Sequence, residues 1–485
     1  MHDVVIISAE GFYISAGPQY VTSILIEHGY KCAVLQALDM MERNQLDLLV
    51  DKYFTNDKQI LGISLTFVRT AESKEAVKYF ADKVREKFPN IRIVVGGASN
   101  DLSAPKILPT DNIHYLMGQN RENEIIDLFN RLTGRVKRIP FDFRNHSINY
   151  DELFPTPTKG VLMFLKISSG CKFNCAFCNF DLRKTKSTFK TKEKVIEEME
   201  AFHRRFGTNE IVLICNTFND DEDKIKMMYE ASEELSFTPS YFVFTRLDLF
   251  AVQKPFVHEF YRKYVKYSFF GVESFNSQTL KVINKSPNVE RLKASLLDFR
   301  NKARSDVYMI GSFIVGLPHE TLDDHLKTVA WINETQVFDY INYPSLQMNP
   351  VEANINEYSD MDQNPEKYGY RFIKDSEILD QRIRQMLPSF WARDDGYTIE
   401  NAHRDSLVVN ALFRNKLPYQ MHMLFAARGV EPMNEKINYS RHSYGMDVLG
   451  IGDVFNNDRF AKEYIGKANI EIDKFIDEYY ETLIT

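Results

Sequence analysis

The chain has 485 residues, 44% apolar and 26% charged, with a formal net charge of −7. That length exceeds one ordinary core and implies two or three domains of a soluble globular protein. The mild acidity argues against binding dominated by phosphate backbones; no apolar run is long enough for a membrane span; and five cysteines, three of them clustered, make no disulfide framework.

The opening MHDVVIISAE lacks a basic segment, an apolar core and a cleavage site, and reads as a first strand. The expected location is the cytoplasm, where thiols stay reduced and available to a metal. Through residues 1–140 short apolar runs alternate with amphipathic stretches. DVVII, CAVLQAL, ILGISLTF, IRIVVGG and IHYLMG read as strands, with helices at Pro18–His28 and Ala71–Phe88 between them. Near-continuous apolar strands separated by helices predict a doubly wound, Rossmann-like α/β domain with both sheet faces covered. Gly11, Gly17, Gly62, Gly96 and Gly97 fall around the strand ends, where such sheets dock ligands.

Residues 141–158 are polar, carry Pro155 and Pro157, and are expected to be a linker. Over residues 159–348 a second alternation predicts six strand–helix units, a partial (β/α)6 barrel: VLMFLKIS, EIVLICN, SYFVFT, YSFFGVE, YMIGSFIVG and YINYPSLQM. Residues 349–485 read as a mainly helical region covering the barrel mouth, with DSEILDQRIRQML and NIEIDKFIDEYYETLI as amphipathic helices.

The chemistry concentrates just after the first barrel strand, in GCKFNCAFC. Cys171, Cys175 and Cys178 form C-x3-C-x2-C. A structural zinc site needs four closed ligands, and the next cysteine, Cys215, lies 37 residues on inside an expected strand. Three thiolates suit instead a four-iron cluster with one iron left open to a further ligand.

This motif, placed after the first strand of a partial barrel, resembles the radical S-adenosylmethionine (SAM) superfamily. The resemblance implies a 4Fe-4S cluster on Cys171, Cys175 and Cys178, with Phe177 as the aromatic before the third cysteine. The open iron would chelate SAM, and reductive cleavage would give a 5′-deoxyadenosyl radical. Later segments resemble the same superfamily in order. FFGVES implies SAM contacts from Glu273 and Ser274. GSFIVGLPHET implies an adenine-side strand containing Ile314, Gly316 and Pro318. RLDLF offers Arg246 to the SAM carboxylate. ICNTFNDD places Cys215 and Asn216 where relatives often carry two acidic residues, leaving Asn216, Thr217 or Asn219 to hold the SAM amino group.

The front domain resembles the cobalamin (B12)-binding branch of that superfamily, with Ser64, Thr66, Gly96 and Gly97 along the cleft for the nucleotide tail. The loop SAEGFYISAGP has no histidine, so the resemblance implies a corrin without a protein ligand beneath cobalt. The expected activity is methyl transfer to an unactivated carbon of a small-molecule or peptide substrate. The electron would come from a donor such as flavodoxin or ferredoxin, with neither a membrane nor nucleic acid as partner. The alternatives are a cobalamin-independent radical enzyme with a degenerate front domain, and a non-catalytic metal-binding scaffold.

Overall fold

The apolar runs of the front domain become five short strands: β1 Val4–Ser8, β2 Cys32–Leu35, β3 Ile60–Ser64, β4 Arg92–Gly97 and β5 Ile113–Met117. The structure is a computed structural model, and it describes residues 2–9, 16–65, 71–97, 113–117, 121–135, 140–153, 162–180, 184–350, 358–387 and 389–413. All neighbouring pairs in this sheet are parallel, in the order β2-β1-β3-β4-β5. Every residue of β1 is buried, as a strand covered on both faces requires. The order reverses between β1 and β3, where Ser8 lies in register with Ser64. In sheets of this order, such a reversal is where ligand crevices open beyond the carboxyl ends of the strands.

Helices Ala16–Glu27, Arg43–Tyr53, Ala71–Lys87 and Glu122–Thr133 accompany the sheet. The second was not among the expected elements. Its buried Leu46, Leu49 and Val50 recur at helical spacing, and a capping box of Glu42 and Gln45 starts it.

Residues 140–153, most of them in the expected linker, form a packed strap. Phe143–Asn145 form a 3-10 turn and Tyr150–Leu153 a short helix. Its rings make it stick: Phe141 and His146 meet Tyr20 edge-on at 6.0 and 5.4 Å, and fully buried Tyr150 packs on Phe202 at 4.8 Å. His146 bridges Ser23 (2.9 Å) and Glu27 (2.8 Å) of the front domain. Lys166, at the end of the first barrel strand, reaches Glu122 at 3.2 Å and lies over the Tyr20 ring at 4.4 Å. Strap and barrel are thereby fastened to the front domain.

The barrel strands are β6 Met163–Lys166, β9 Glu210–Ile214, β10 Ser240–Arg246, β11 Val265–Glu273, β12 Tyr308–Phe313 and β13 Tyr340–Asn342, parallel and in sequential order. A two-residue antiparallel pair, β7 Ser168–Ser169 with β8 Thr188–Phe189, closes the base of the loop that carries the cysteines. One sheet face meets the outer helices: Tyr241 stacks on Phe260, and Phe270 packs on Phe250 and Phe299. Cross-strand register arranges the inner face in layers. Phe164, Val212, Phe242, Tyr267 and Tyr308 form the lowest, followed by Phe244, Phe269, Ile310 and Tyr340. Arg246, Gly271, Ser312 and Asn342 form the rim. A filled aromatic floor below a polar rim is how such barrels confine chemistry to their carboxyl end.

Described residues after Asn349 include short helices, a longer one at Ile399–Ala411, and an antiparallel pair, β14 Tyr370–Ile373 with β15 Phe390–Arg393, that the helical pattern did not announce. The expected helix DSEILDQRIRQML splits into a turn at Asp375–Glu377 and a helix at Gln381–Met386. The expected helix near the C-terminus lies outside the described residues. Among the described residues no helix is long and apolar enough to cross a membrane.

Candidate functional site

The cysteine loop leaves β7 through Gly170, whose φ is 94°, with Lys186 O only 2.8 Å from where a Cβ would sit. Only glycine makes that turn without displacing the returning strand. Thr185 N donates to Cys171 O (3.1 Å) and Lys184 N to Phe173 O (3.1 Å), pinning the loop's two limbs together. Its far side is held by the segment after β11: Ala176 N donates to Ile283 O (3.2 Å) and Asn284 Nδ2 to Asn174 O (2.8 Å). Met361 N, from the C-terminal region, donates to Ala176 O at 3.0 Å.

All three cysteines are free thiols, Cys171 buried and the other two half-buried. Among the described residues no three His, Cys, Asp or Glu side chains group to hold one metal ion. A cubane takes one sulfur per iron, so thiols spread along one loop fit it and do not fit a single zinc ion. Phe177 packs partly buried against the core. Thr217 places Oγ1 3.8 Å from Cys171 Sγ, while Asn216 is exposed at the end of β9. Asn219 is consumed by the scaffold: it accepts from Arg246 N (2.8 Å) and donates to Arg246 O (3.0 Å) and Gln253 (2.9 Å). Cys215 is buried, and burial pushes its thiol up to about 12, an inert core residue.

Arg246, the expected partner of the SAM carboxylate, is engaged within the chain. Its fork is filled by Asp248, with Nε and Nη2 donating at 2.7 and 2.9 Å. Nη1 donates to Cys175 Sγ at 3.1 Å, Nη2 also reaches Asn284 O at 3.0 Å, and the guanidinium lies 4.1 Å over the Phe173 ring. With these donors engaged and the side chain 8% exposed, the group is not open to a ligand carboxylate.

Glu273 and Ser274 also have partners. Glu273 sits after a bulge in β11 with φ 67°, its carboxylate 2.8 Å from Lys285 Nζ. Left-handed backbone at a non-glycine residue costs about 1–2 kcal/mol, and Asn284 beside the loop shares it with φ 63°. Two strained residues flanking one loop mark a region shaped by more than packing. Ser274 is buried and donates to Glu320 while accepting from Asn276 N at 2.8 Å. Ile314 N donates to Glu273 O at 3.0 Å, continuing the sheet past β12. At Gly316 φ is 95°, and a Cβ there would lie 2.8 Å from Trp391 and 3.0 Å from Ala402. Pro318 O accepts from Thr279 at 2.6 Å.

In the front domain Ser64 ends β3 in register with Gly96, and Gly97 closes β4. Thr66 lies outside the described residues. A cavity of about 450 Å³ opens on the edge of β5, between Tyr115, Glu124, Asp127 and Arg131. It belongs to the front domain, not to the cysteine loop.

Residues that the sequence did not single out include Asp248, Asn284 and Lys285, which neutralise and brace the rim. Behind it lie Glu320 and His325, 3.7 Å apart and both buried. Burial pushes the Glu320 carboxyl well above the carboxylate range and His325 down to about 4, so the contact joins two neutral groups. A histidine depressed from 6.5 to about 4 contributes stability above pH 6.5 that is lost as pH falls toward 4. Glu320, shifted upward, gains relative stability over the same fall and masks it. The expected result is therefore in the difference: from pH 7.5 to 4, His325→Gln should gain on the wild type by about 3 kcal/mol in unfolding free energy. Urea unfolding at matched pH values checks this, and a pH-independent difference contradicts it.

Residues 165–332 match the Radical SAM superfamily. Ribosomal protein uS12 methylthiotransferase RimO of Chlamydia pneumoniae is 24% identical over 369 residues, 73% of this chain and 76% of the relative. A tRNA-2-methylthio-N(6)-dimethylallyladenosine synthase of a Ruegeria species is 25% identical over 274 residues, 52% of this chain and 57% of the relative. Among solved structures, TsrM of Kitasatospora setae, a radical SAM methyltransferase with cobalamin and a 4Fe-4S cluster bound, superposes with TM-score 0.59 at 12% identity. The match covers 98% of this chain and all of that one. The cobalamin-dependent radical SAM enzyme OxsB gives TM-score 0.52 at 15% identity over 70% of this chain, which spans 53% of OxsB. Residues 165–332 are thus a Radical SAM superfamily domain, in a chain that shares the fold of TsrM and OxsB.

Proposed function

We propose that this enzyme methylates an unactivated carbon with the help of cobalamin. The observation that carries the reading is the pairing of the two halves. A three-cysteine loop stands at the carboxyl end of a six-stranded half-barrel, fastened by Lys166–Glu122 and the strap to a 2-1-3-4-5 sheet. When bound, a 4Fe-4S cluster supplies the electron that cleaves SAM to a 5′-deoxyadenosyl radical, and cobalamin supplies the methyl group. Cys171, Cys175 and Cys178 would hold the cluster. The crevice beyond Ser8 and Ser64 would take the corrin's nucleotide tail, since the β1/β3 reversal is where such sheets open.

The chain's own residues do the positioning and the exclusion of water. The floor of Phe244, Phe269, Ile310 and Tyr340 suits an apolar or aromatic group of a small molecule or peptide. The rim cations are already neutralised, Arg246 by Asp248 and Lys285 by Glu273. A polyphosphate backbone therefore finds no unpaired partner among these described rim residues, which disfavours nucleic acid. A flavodoxin- or ferredoxin-type protein is the proposed electron donor.

Methylthio transfer is a second reading, favoured by the activities named for RimO and the synthase. Inserting sulfur needs a sulfur donor. Beyond the loop the chain has only Cys32 and Cys215, one in each domain, so it lacks cysteines for a second such cluster. The test is anaerobic reconstitution with iron, sulfide and cobalamin, then incubation with SAM, reductant and candidate substrates. The expected results are a bound corrinoid spectrum, 5′-deoxyadenosine, S-adenosylhomocysteine and a product heavier by a methyl group. A product that gains sulfur, or SAM cleavage without any bound corrinoid, would overturn the methyl-transfer reading.

A further inference from the structure

We infer that Arg246 and Asp248 act as a charge-balanced clamp on Cys175, setting the reduction potential of whatever cluster that cysteine holds. The inference rests on the reading that the three cysteines bind a four-iron cluster, and it concerns protein groups that touch one of those ligands, Cys175.

Sequence puts the pair two residues apart, where β10 ends and the short helix Leu247–Phe250 begins. That turn lets the arginine rise from the rim layer while the carboxylate folds back beneath it. The result is a two-point fork, Nε to Oδ1 at 2.7 Å and Nη2 to Oδ2 at 2.9 Å. Planar guanidinium–carboxylate pairing fixes both orientation and distance, which a lysine could not do. With the fork fixed, Nη1 is left pointing at Cys175 Sγ, 3.1 Å away. Three further contacts remove freedom from the clamp. The Phe173 ring lies under the guanidinium at 4.1 Å, Asn284 O accepts from Nη2, and Ser286 N donates to Asp248 Oδ2 at 3.2 Å. Phe173 is itself a residue of the cysteine loop. The arginine therefore grips the loop at a sulfur and at a ring.

Hydrogen bonds to ligating sulfurs and nearby charge are the levers by which a protein sets a cluster's potential. A donor on Cys175 withdraws electron density from the sulfur, and the positive guanidinium favours the more negative, reduced cluster. Asp248 opposes the second effect by one negative charge. The two residues thus push the potential in opposite directions while holding one geometry. Arg246 and Asp248 are positioning residues here, acting through Cys175.

The experiment uses the full chain, reconstituted anaerobically, with the cluster's one-electron couple titrated against dithionite and followed by electron paramagnetic resonance. Release of iron to a chelator is measured in parallel. Arg246→Gln should lower the potential, cutting the reduced-to-oxidised ratio at a fixed potential by about tenfold, or about 59 mV for a one-electron couple. It should also speed iron release. Asp248→Asn should raise the potential. Opposite signs are the signature, because general loosening of the loop would move both variants the same way. Should Arg246→Gln assemble no cluster, Arg246→Lys replaces it; it keeps the charge, loses the fork, and should fall between Asp248→Asn and the expected Arg246→Gln value. Shifts of the same sign, or none, with a wild-type cluster in place overturn this inference and leave the radical SAM reading standing. A wild-type chain that takes up no iron overturns both.

Discussion

Replacing Cys175 with alanine is expected to reduce bound iron to background and abolish 5′-deoxyadenosine formation, while the fold survives. Each iron of a cubane that the protein holds needs its own thiolate, so the loss of one is not shared by the others. The local cost is modest. Cys175 is half-buried, and its removal strands the Nη1 donor of Arg246, worth about 1–3 kcal/mol. Cys215→Ala is the matched control: it is buried just past the end of β9, with its thiol 3.8 Å from Leu213 O. That variant should keep its iron and lose about 1 kcal/mol of stability. Elemental analysis of anaerobically purified protein, with urea unfolding, reads both. Retention of a full complement of iron by Cys175→Ala, or zinc in the wild type, would refute the cluster assignment.

The site was legible in the sequence where its chemistry is local, and illegible where it depends on distant partners. The cysteine motif could be read because three ligands sit on one short loop. Strands β1, β3 and β4 could be read because burial on both faces leaves unbroken apolar runs. Arg246 could not. Its partners are Asp248, Asn284, Phe173 and Cys175, and only the first is close in sequence. An arginine near a cofactor site reads as a ligand for the cofactor's carboxylate until its fork is seen to be filled. Gly316 shows the same limit: at φ 95° its backbone is closely approached by Trp391, a partner far along the chain. The packing of residues 141–153 was not legible because the anchoring rings, Phe141, Phe143 and Tyr150, follow no period. Packing against two domains imposes no regular spacing on a segment that is neither helix nor strand.

Trp391→Ala is expected to cost about 3–5 kcal/mol, the range for deleting a fully buried large aromatic, and to weaken SAM binding while iron content holds. The indole fills the angle between Gly316 and Tyr370, meeting that ring edge-on at 5.1 Å, and its Nε1 donates to Leu346 O at 3.0 Å. Around it the C-terminal region fastens to the barrel's last two loops. Tyr370 donates to Gly316 O (2.5 Å), and Arg393 donates to Leu317 O (3.1 Å) and Glu320 O (2.9 Å). Removing the indole leaves a cavity against a glycine that cannot fill it, so Ile314–Pro318 loses its backing. Because Met361 N of the same region holds Ala176 O, the disturbance reaches the cysteine loop without touching a cysteine. Trp391→Phe keeps a ring and loses the donor, leaving a buried carbonyl unmet, and should cost about 1–3 kcal/mol. Chemical denaturation and SAM titration of the two variants separate the volume lost from the hydrogen bond lost. Equal stability of both with the wild type would mean that the C-terminal region does not brace the site.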